Sequence, residues 1–310
     1  MNGATVAPSK APSPTPNAQT PPVARESGLH YMAQAAFWFA VMSLLVKFAS
    51  ATLPTMEIVL GRGCVALLLS TALLLRARKS PFRSDPRLLL LRGLFGSLAL
   101  ICFYAAVVHM PLAEATVIHQ TAPLFTAVLA AWLLRERLEP RVLVAIGLCI
   151  AGVLLIAQPS WLPGFAAKAP GYPWQFAFLA LLGAVLSAFA YVTVRRLGRS
   201  EDPLVVVFYF PLVTVPLVLP FAVPVWVWPS TTGWLLLLGI GITTQIAQIA
   251  MTKGLAREPA GRATTVGYLQ VAFATVAGAV AFGAWPNAWS WGGMGLILLS
   301  LLASTRAWRR

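Results

Sequence analysis

The sequence predicts an all-α integral membrane protein of ten transmembrane helices, built as two five-helix repeats inserted in opposite orientations. Three observations predict it: the chain is too apolar for water, its apolar runs match the thickness of a bilayer, and its basic residues alternate from loop to loop. Of 310 residues, 58% are hydrophobic and 10% charged, whereas soluble domains carry about 25% charged residues. Mean hydropathy is +0.77. A helix needs about 20 residues to cross hydrocarbon, so ten crossings with short loops use up the chain.

Residues 1–28 are rich in Pro, Ala, Ser and Thr and contain no apolar run, which reads as a disordered tail. No apolar core of a secretory signal precedes Tyr31, so the tail is expected to stay in the cytoplasm. Apolar runs then fall at 31–52, 56–75, 88–108, 113–134 and 142–158, each closed by charge, Pro or Gly. Five more follow at 174–194, 204–222, 233–252, 263–282 and 289–305. The first set defines a repeat over residues 29–160 and the second a repeat over 161–310.

Orientation follows from Lys and Arg, which collect in the short cytoplasmic loops of membrane proteins. Arg76, Arg78, Lys79, Arg83, Arg87 and Arg92 follow span 2; Arg135, Arg137 and Arg141 follow span 4; Arg195, Arg196 and Arg199 follow span 6. Lys253, Arg257 and Arg262 follow span 8, and Arg306, Arg309 and Arg310 close span 10. The loops after the odd-numbered spans contain only Lys168. Both termini are therefore expected in the cytoplasm, with the chain in a bacterial inner membrane. The net charge of +14 is this orientation signal spread over separate loops, and nucleic acid is not an expected partner.

One constant offset, 148 residues, carries the first five spans onto the last five. Gly93 falls on Gly241, Pro111 on Pro259, Gly147 on Gly295, Lys47 on Arg195, and Ala115 with Thr116 on Ala263 with Thr264. Five crossings is an odd number, so the second copy must enter the membrane from the other side. The loops agree: FASATLPTME is poor in basic residues where its counterpart RRLGRSED is rich. Such an inverted repeat is the frame of alternating access, in which exchanging the conformations of the halves moves the opening of a central cavity.

The residues offer little for catalysis. Asp85 and Asp202 are the only aspartates and lie in loops, so no carboxylate cluster for a divalent metal and no acid–base pair emerges. Cys64, Cys102 and Cys149 lie inside apolar runs without metal-ligand spacing. An enzyme, a cofactor and a metal site are not expected.

Polar groups inside spans should face the bundle interior. Cavity candidates are Arg62 on span 2, Tyr104 on span 3, His119 and Gln120 on span 4, Tyr191 on span 6, Gln245 and Gln248 on span 8, and Tyr268 and Gln270 on span 9. Each has a plainer role open to it: the tyrosines as packing residues, the glutamines as links between helices, His119 as an interior histidine. Arg62 is the hardest to assign to packing, because a guanidinium stays charged and prefers an anionic partner. Lys47 and Glu57, across the turn between spans 1 and 2, form a candidate gating or charge pair, and Lys47 could instead snorkel to headgroups. Pro211, Pro216 and Pro220 mark span 7 for a kink.

The stretch from LLLRGLFGSLALICFYAAVVHMPLAEATVIHQTAPLF to VLLIAQP, within a duplicated five-helix unit, resembles the EamA-type domains of the drug/metabolite transporter superfamily over about residues 29–305. The PLAEAT, PLF, ERL and FYFPL segments are similar to those of S-adenosylmethionine-type uptake carriers. The second half departs from the pattern at the end of its fourth helix, where Ala284 stands opposite Glu136. The resemblance implies a secondary transporter for a small polar metabolite, such as an amino-acid derivative or nucleoside-containing compound. A lipid flippase and a nucleotide-sugar or organic-anion antiporter are the alternatives. The partners implied are a small-molecule solute and membrane lipid, with the chain a monomer or homodimer.

Overall fold

The fold, a computed structural model, is described over residues 28–81, 86–134, 140–157, 173–198, 200–257, 266–267, 269–283 and 285–307. The tail, the loops holding Glu136 and Lys168, and Tyr268 and Ala284 lie outside the described residues, as do the side chains of Ala127, Ala131 and Cys149. Every described regular element is helical. In chain order they are α1 Gly28–Ala49, α2 Thr55–Arg76, α3 Pro86–His109, α4 Leu112–His119, α5 Ala122–Leu134, α6 Pro140–Ala157, α7 Gln175–Leu197, α8 Pro203–Ala222, α9 Thr231–Arg257, α10 Leu269–Phe282 and α11 Ala288–Ala307.

Local chemistry places the boundaries. Pro86, Pro140 and Pro203 open their helices, where a missing N–H costs nothing. Asp202 caps α8 by accepting from the Leu204 N–H at 2.9 Å. Six helices, α1, α2, α3, α7, α8 with its 3-10 extension to Val225, and α9, are long and apolar enough to cross a membrane. Leu68 is 72% exposed and Val280 82%, the outward apolar surface that a lipid solvent requires.

One expectation changes. The run 113–134 is not one helix but two, broken at Gln120 and Thr121. Pro123 has no N–H for the carbonyl of His119, and its ring crowds that carbonyl. Thr121 Oγ1 satisfies the carbonyl of Ile118 at 2.7 Å within the break. In the second half α10 starts at Leu269, directly after the residue equivalent to Gln120. The prolines that mark span 7 for a kink, Pro211, Pro216 and Pro220, lie inside α8, which runs on to the 3-10 turn Val223–Val225.

Contacts between helix ends define two ends of the bundle. At one, Lys79 after α2 pairs with Asp202 before α8, Lys253 and Arg257 of α9 lie over Tyr31 of α1, and Gly198 after α7 packs on Ala256. At the other, the last residue of α3, His109, stacks on Phe176 near the start of α7 at 4.0 Å, and Gly233 of α9 lies against Leu53 after α1. The first is the basic end. The second carries Trp228, Trp234, Trp285 and Trp289 at exposed positions, an aromatic belt of the kind found at membrane interfaces. By these contacts α1 runs from the basic end to the tryptophan end and α7 runs back; α2 with α8 and α3 with α9 are opposed in the same way.

The most extensive packing joins the halves: α1 against α9, α3 against α7, α2 against α8, and α6 against α11. Small residues allow the closest approaches. A Cβ at Gly93 would lie 2.6 Å from Val213, and a Cβ at Gly241 would lie 2.4 Å from Val65. Gly241 and Val213 are the counterparts of Gly93 and Val65 under the 148-residue offset, so one interlock occurs twice. One apolar cluster, with Leu53, Ile58, Met110 and Ala222, fills the tryptophan end. Another, with Met32, Leu74, Leu197 and Leu255, lies at the basic end. The polar residues collect between them.

Candidate functional site

A cavity with about 670 Å³ of empty space, its mouth included, lies at mid-bundle. Arg62 from α2, Arg92 from α3, His119 and Gln120 at the α4 break, Ser187 and Tyr191 from α7, Gln248 from α9 and Gln270 from α10 supply its polar wall. Phe39, Phe103 and Phe210 supply much of the apolar wall. An apolar lining with a few convergent polar groups is the composition of small-molecule sites.

The break in the fourth span builds one side. The helix ends on His119 and Gln120 instead of carrying their side chains on around a continuous turn. His119 Nε2 lies 3.1 Å from the Ser187 hydroxyl, and its ring lies 4.4 Å from that of Phe103. Gln120 Nε2 donates to the Gly267 carbonyl at 2.7 Å and to Gln270 Oε1 at 3.0 Å. This ties the break of the first half to Gly267 and the first turn of α10 in the second. Interrupted helices that present polar ends to a mid-membrane cavity recur at transporter binding sites.

The two arginines build the opposite side. Arg62 is 1% exposed and Arg92 2%. Arg62 lies 5.0 Å from the centroid of Phe210 and 5.9 Å from that of Tyr104; Arg92 lies 4.4 Å from the same Phe210 ring. Arg92 Nη2 donates to Gln248 Oε1 at 2.8 Å. Nε and Nη2 of Arg62, and Nε and Nη1 of Arg92, have no hydrogen-bond partner. Among the described residues no carboxylate comes within ion-pair distance of either guanidinium. Nε with Nη2 is the edge that a carboxylate bridges with two parallel bonds, and on Arg62 that edge is buried without a partner.

Sequence reasoning missed Arg92. It follows a run of loop arginines and counts there with them as an orientation signal, although the predicted run 88–108 already contains it, as does α3. The adjacent glycines, Gly93 and Gly96, were the available signal, because they bring α8 onto that turn: a Cβ at Gly96 would lie 3.0 Å from Phe210 and 3.2 Å from Arg92 Nη1.

The remaining candidates divide. Tyr104 is fully buried behind Arg62 and does not line the cavity. Gln245 joins α9 to α2 by donating to the Ser70 hydroxyl at 2.8 Å, so its role is packing, although Gln248 one turn later reaches the site. Tyr268 lies outside the described residues. The charge pair of Lys47 with Glu57 is not formed. Lys47 Nζ donates to the carbonyls of Val107, Val108 and Met110 at 2.9, 2.9 and 3.0 Å, using all three ammonium protons where the dipole of α3 is negative. Glu57 Oε2 instead accepts from the Val227 N–H at 3.0 Å. Both interactions close the tryptophan end.

Toward the basic end, Phe39, Gln120, Tyr191, Met251 and Gln270 also line a second space that reaches Met32 and Leu255. A polar cavity closed off at the tryptophan end, inside a bundle of membrane-length helices, is the arrangement of a multi-pass membrane transporter. The chain belongs to the EamA-like transporter family, whose profile matches it twice, over residues 26–158 and 174–306. It is 32% identical over 282 residues to a pseudopaline exporter of Pseudomonas aeruginosa, covering 91% of this chain and 96% of that one. It is 31% identical to the mouse solute carrier family 35 member G1, over 91% of this chain and 79% of the relative. Identity to a riboflavin transporter of Vibrio cholerae is 26%, over 89% and 94%. A solved crystal structure shares the fold with a TM-score of 0.66 at 20% identity, covering 91% of this chain and 99% of the other.

Proposed function

We propose that the protein is a secondary transporter that moves a small anionic or zwitterionic metabolite across the inner membrane by alternating access. It has ten spans in two inverted repeats, residues 29–160 and 161–310, and both termini are cytoplasmic. The observation that carries this reading is the pair of buried guanidiniums, Arg62 and Arg92, with unpartnered N–H groups in the wall of a mid-bundle cavity. The basic residues at one end of the bundle support a cytoplasmic opening there. His119, Gln120, Tyr191, Gln248 and Gln270 complete the solute site, and Tyr104 backs Arg62. Pseudopaline and riboflavin, the solutes in the relatives' names, do not support S-adenosylmethionine as the particular substrate.

The test is an untargeted metabolite comparison between cells lacking the protein and cells overproducing it, with the double variant Arg62→Gln, Arg92→Gln as control. An anionic or zwitterionic metabolite should change with the wild-type protein and not with the variant. A change that persists in the variant counts against the site. Movement of labelled lipid in reconstituted vesicles, with no solute movement, would establish the flippase alternative instead.

A further inference from the structure

Arg62 and Arg92 bring two fixed positive charges to the middle of the bundle, and the described residues around them hold no negative charge to match. The polar groups lining the cavity are neutral amides, hydroxyls and His119. Of the carboxylates inside described helices, Glu57 is engaged with the Val227 N–H and Glu114 with the Ser290 hydroxyl. A guanidinium does not shed its proton to relieve such a site. Burial of an unpaired charge is strongly unfavourable, and burial of two more so.

Toward the basic end the cavity adjoins a space lined by Met32 and Leu255, and in the alternating-access reading this is the side from which water and counterions reach the two charges. Closure removes that access. Resting on the alternating-access reading, we infer that the cavity takes a small organic dianion, one anionic group on each guanidinium, and that only the loaded carrier passes through its closed form. Transport is then obligatory exchange of one dianion for another.

The geometry fits two anionic groups on a short frame. Both guanidiniums lie over the Phe210 ring, at 5.0 and 4.4 Å, so they are no farther apart than the sum of those distances. Arg62 offers the bidentate edge Nε with Nη2. Arg92, steadied through Nη2 by Gln248, offers Nε and Nη1. Gly96 packs beside Nη1, where a Cβ would stand 3.2 Å from it. A monoanion neutralises one guanidinium and leaves the other bare. A zwitterion adds an ammonium beside it, with no described acid in the lining to receive that group.

The experiment uses the full chain in phosphatidylcholine vesicles, with short straight-chain dicarboxylates and the monocarboxylates of equal length as probes. At least one dicarboxylate should raise the melting temperature at a concentration roughly tenfold or more below that of its monocarboxylate, the difference expected from one lost charge-assisted contact. Labelled dicarboxylate should enter vesicles preloaded with the same compound and not enter empty ones. Arg92→Gln, which leaves one charge and the Arg62 fork, should shift the preference toward monocarboxylates, a reversal that a merely structural arginine would not produce. The wild-type selectivity and exchange data stand alone should that variant fail to fold. Equal stabilisation by mono- and dicarboxylates, or equal uptake into empty and loaded vesicles, overturns the inference. Stabilisation by added phosphatidylglycerol with none by dicarboxylate also overturns it, by making a headgroup the occupant. Uptake into empty vesicles that Arg62→Gln abolishes would remove obligatory exchange while leaving the carrier intact.

Discussion

The guanidinium of Arg62 stands 5.0 Å from the ring of Phe210, and Phe210 holds in the second half of the chain the position that Arg62 holds in the first, 148 residues earlier. Equivalent positions thus meet at the centre of the bundle with opposite chemistry, one a cation and the other the aromatic face on which it rests. The scaffold repeats while the site does not. Gln248 and Arg92 show the same asymmetry, since their counterparts are Leu100 and Ile240.

Arg62→Lys should keep the charge and lose the two-pronged edge, so the stabilisation given by an effective dicarboxylate should need about tenfold more ligand. Glu57→Gln should behave as wild type, because an amide oxygen can still accept from the Val227 N–H. Thermal unfolding with ligand titration measures both. An unshifted titration for Arg62→Lys would show that the arginine serves packing and not recognition.

Lys47→Met should lower stability by about 1–3 kcal/mol, because it strips three carbonyls at the end of α3 of their donor in a place that water reaches poorly. Ligand selectivity should not change, since Lys47 does not line the cavity. Denaturant unfolding in detergent reports the first quantity and competition binding the second.

Gly241→Ala should cost about 1–3 kcal/mol through overpacking against Val65, and Val65→Ala should restore only part of it, because the Cβ that alanine keeps would still stand 2.4 Å from the new methyl. Gly93→Ala should likewise be rescued only in part by Val213→Ala, because its Cβ would also stand 2.9 Å from the Val213 Cβ and from the Tyr209 carbonyl oxygen, neither of which that substitution removes. Paired unfolding curves decide between this and simple helix propensity, under which both alanines would stabilise.

Single cysteines at the exposed positions Ser200 and Ser230, in a background without Cys64, Cys102 and Cys149, test the orientation. Ser200→Cys should react with an impermeant maleimide only after the inner membrane is opened, and Ser230→Cys should react in intact spheroplasts. The reverse pattern would turn the chain over; equal labelling would remove the proposed orientation altogether.

The helices were legible because apolar length is set by the bilayer: each predicted run contains or overlaps a described helix, and six of those helices are long and apolar enough to cross a membrane. The break at Gln120 and Thr121 was not, since the apolar run passes through it and Pro123 is its only mark. Arg62, His119, Gln120, Tyr191, Gln248 and Gln270 were identified as candidates from the cost of polar groups within spans, and the fold brings them to one cavity. Arg92 escaped because charge near a helix start looks the same in sequence whether it faces solvent or core. Gln245 and Gln248 are one turn apart, and only the neighbouring helices decide that one meets Ser70 and the other Arg92. Lys47 escaped for a related reason: carbonyls are acceptors that every residue carries and none advertises.

The packing of α1 on α9, α2 on α8 and α3 on α7 also bears on biogenesis. The first five helices leave the ribosome before any of their main partners has been made. During that interval Arg62 has no Phe210 to lie against, Arg92 has no Gln248, and Gly93 has no Val213 to fill its notch. The amino-terminal half must therefore be held by lipid or by the insertion machinery as separate helices, and the bundle closes only when the later helices thread between the earlier ones. A chain that stops after the first repeat would leave bare the faces of α1, α2 and α3 that α9, α8 and α7 cover.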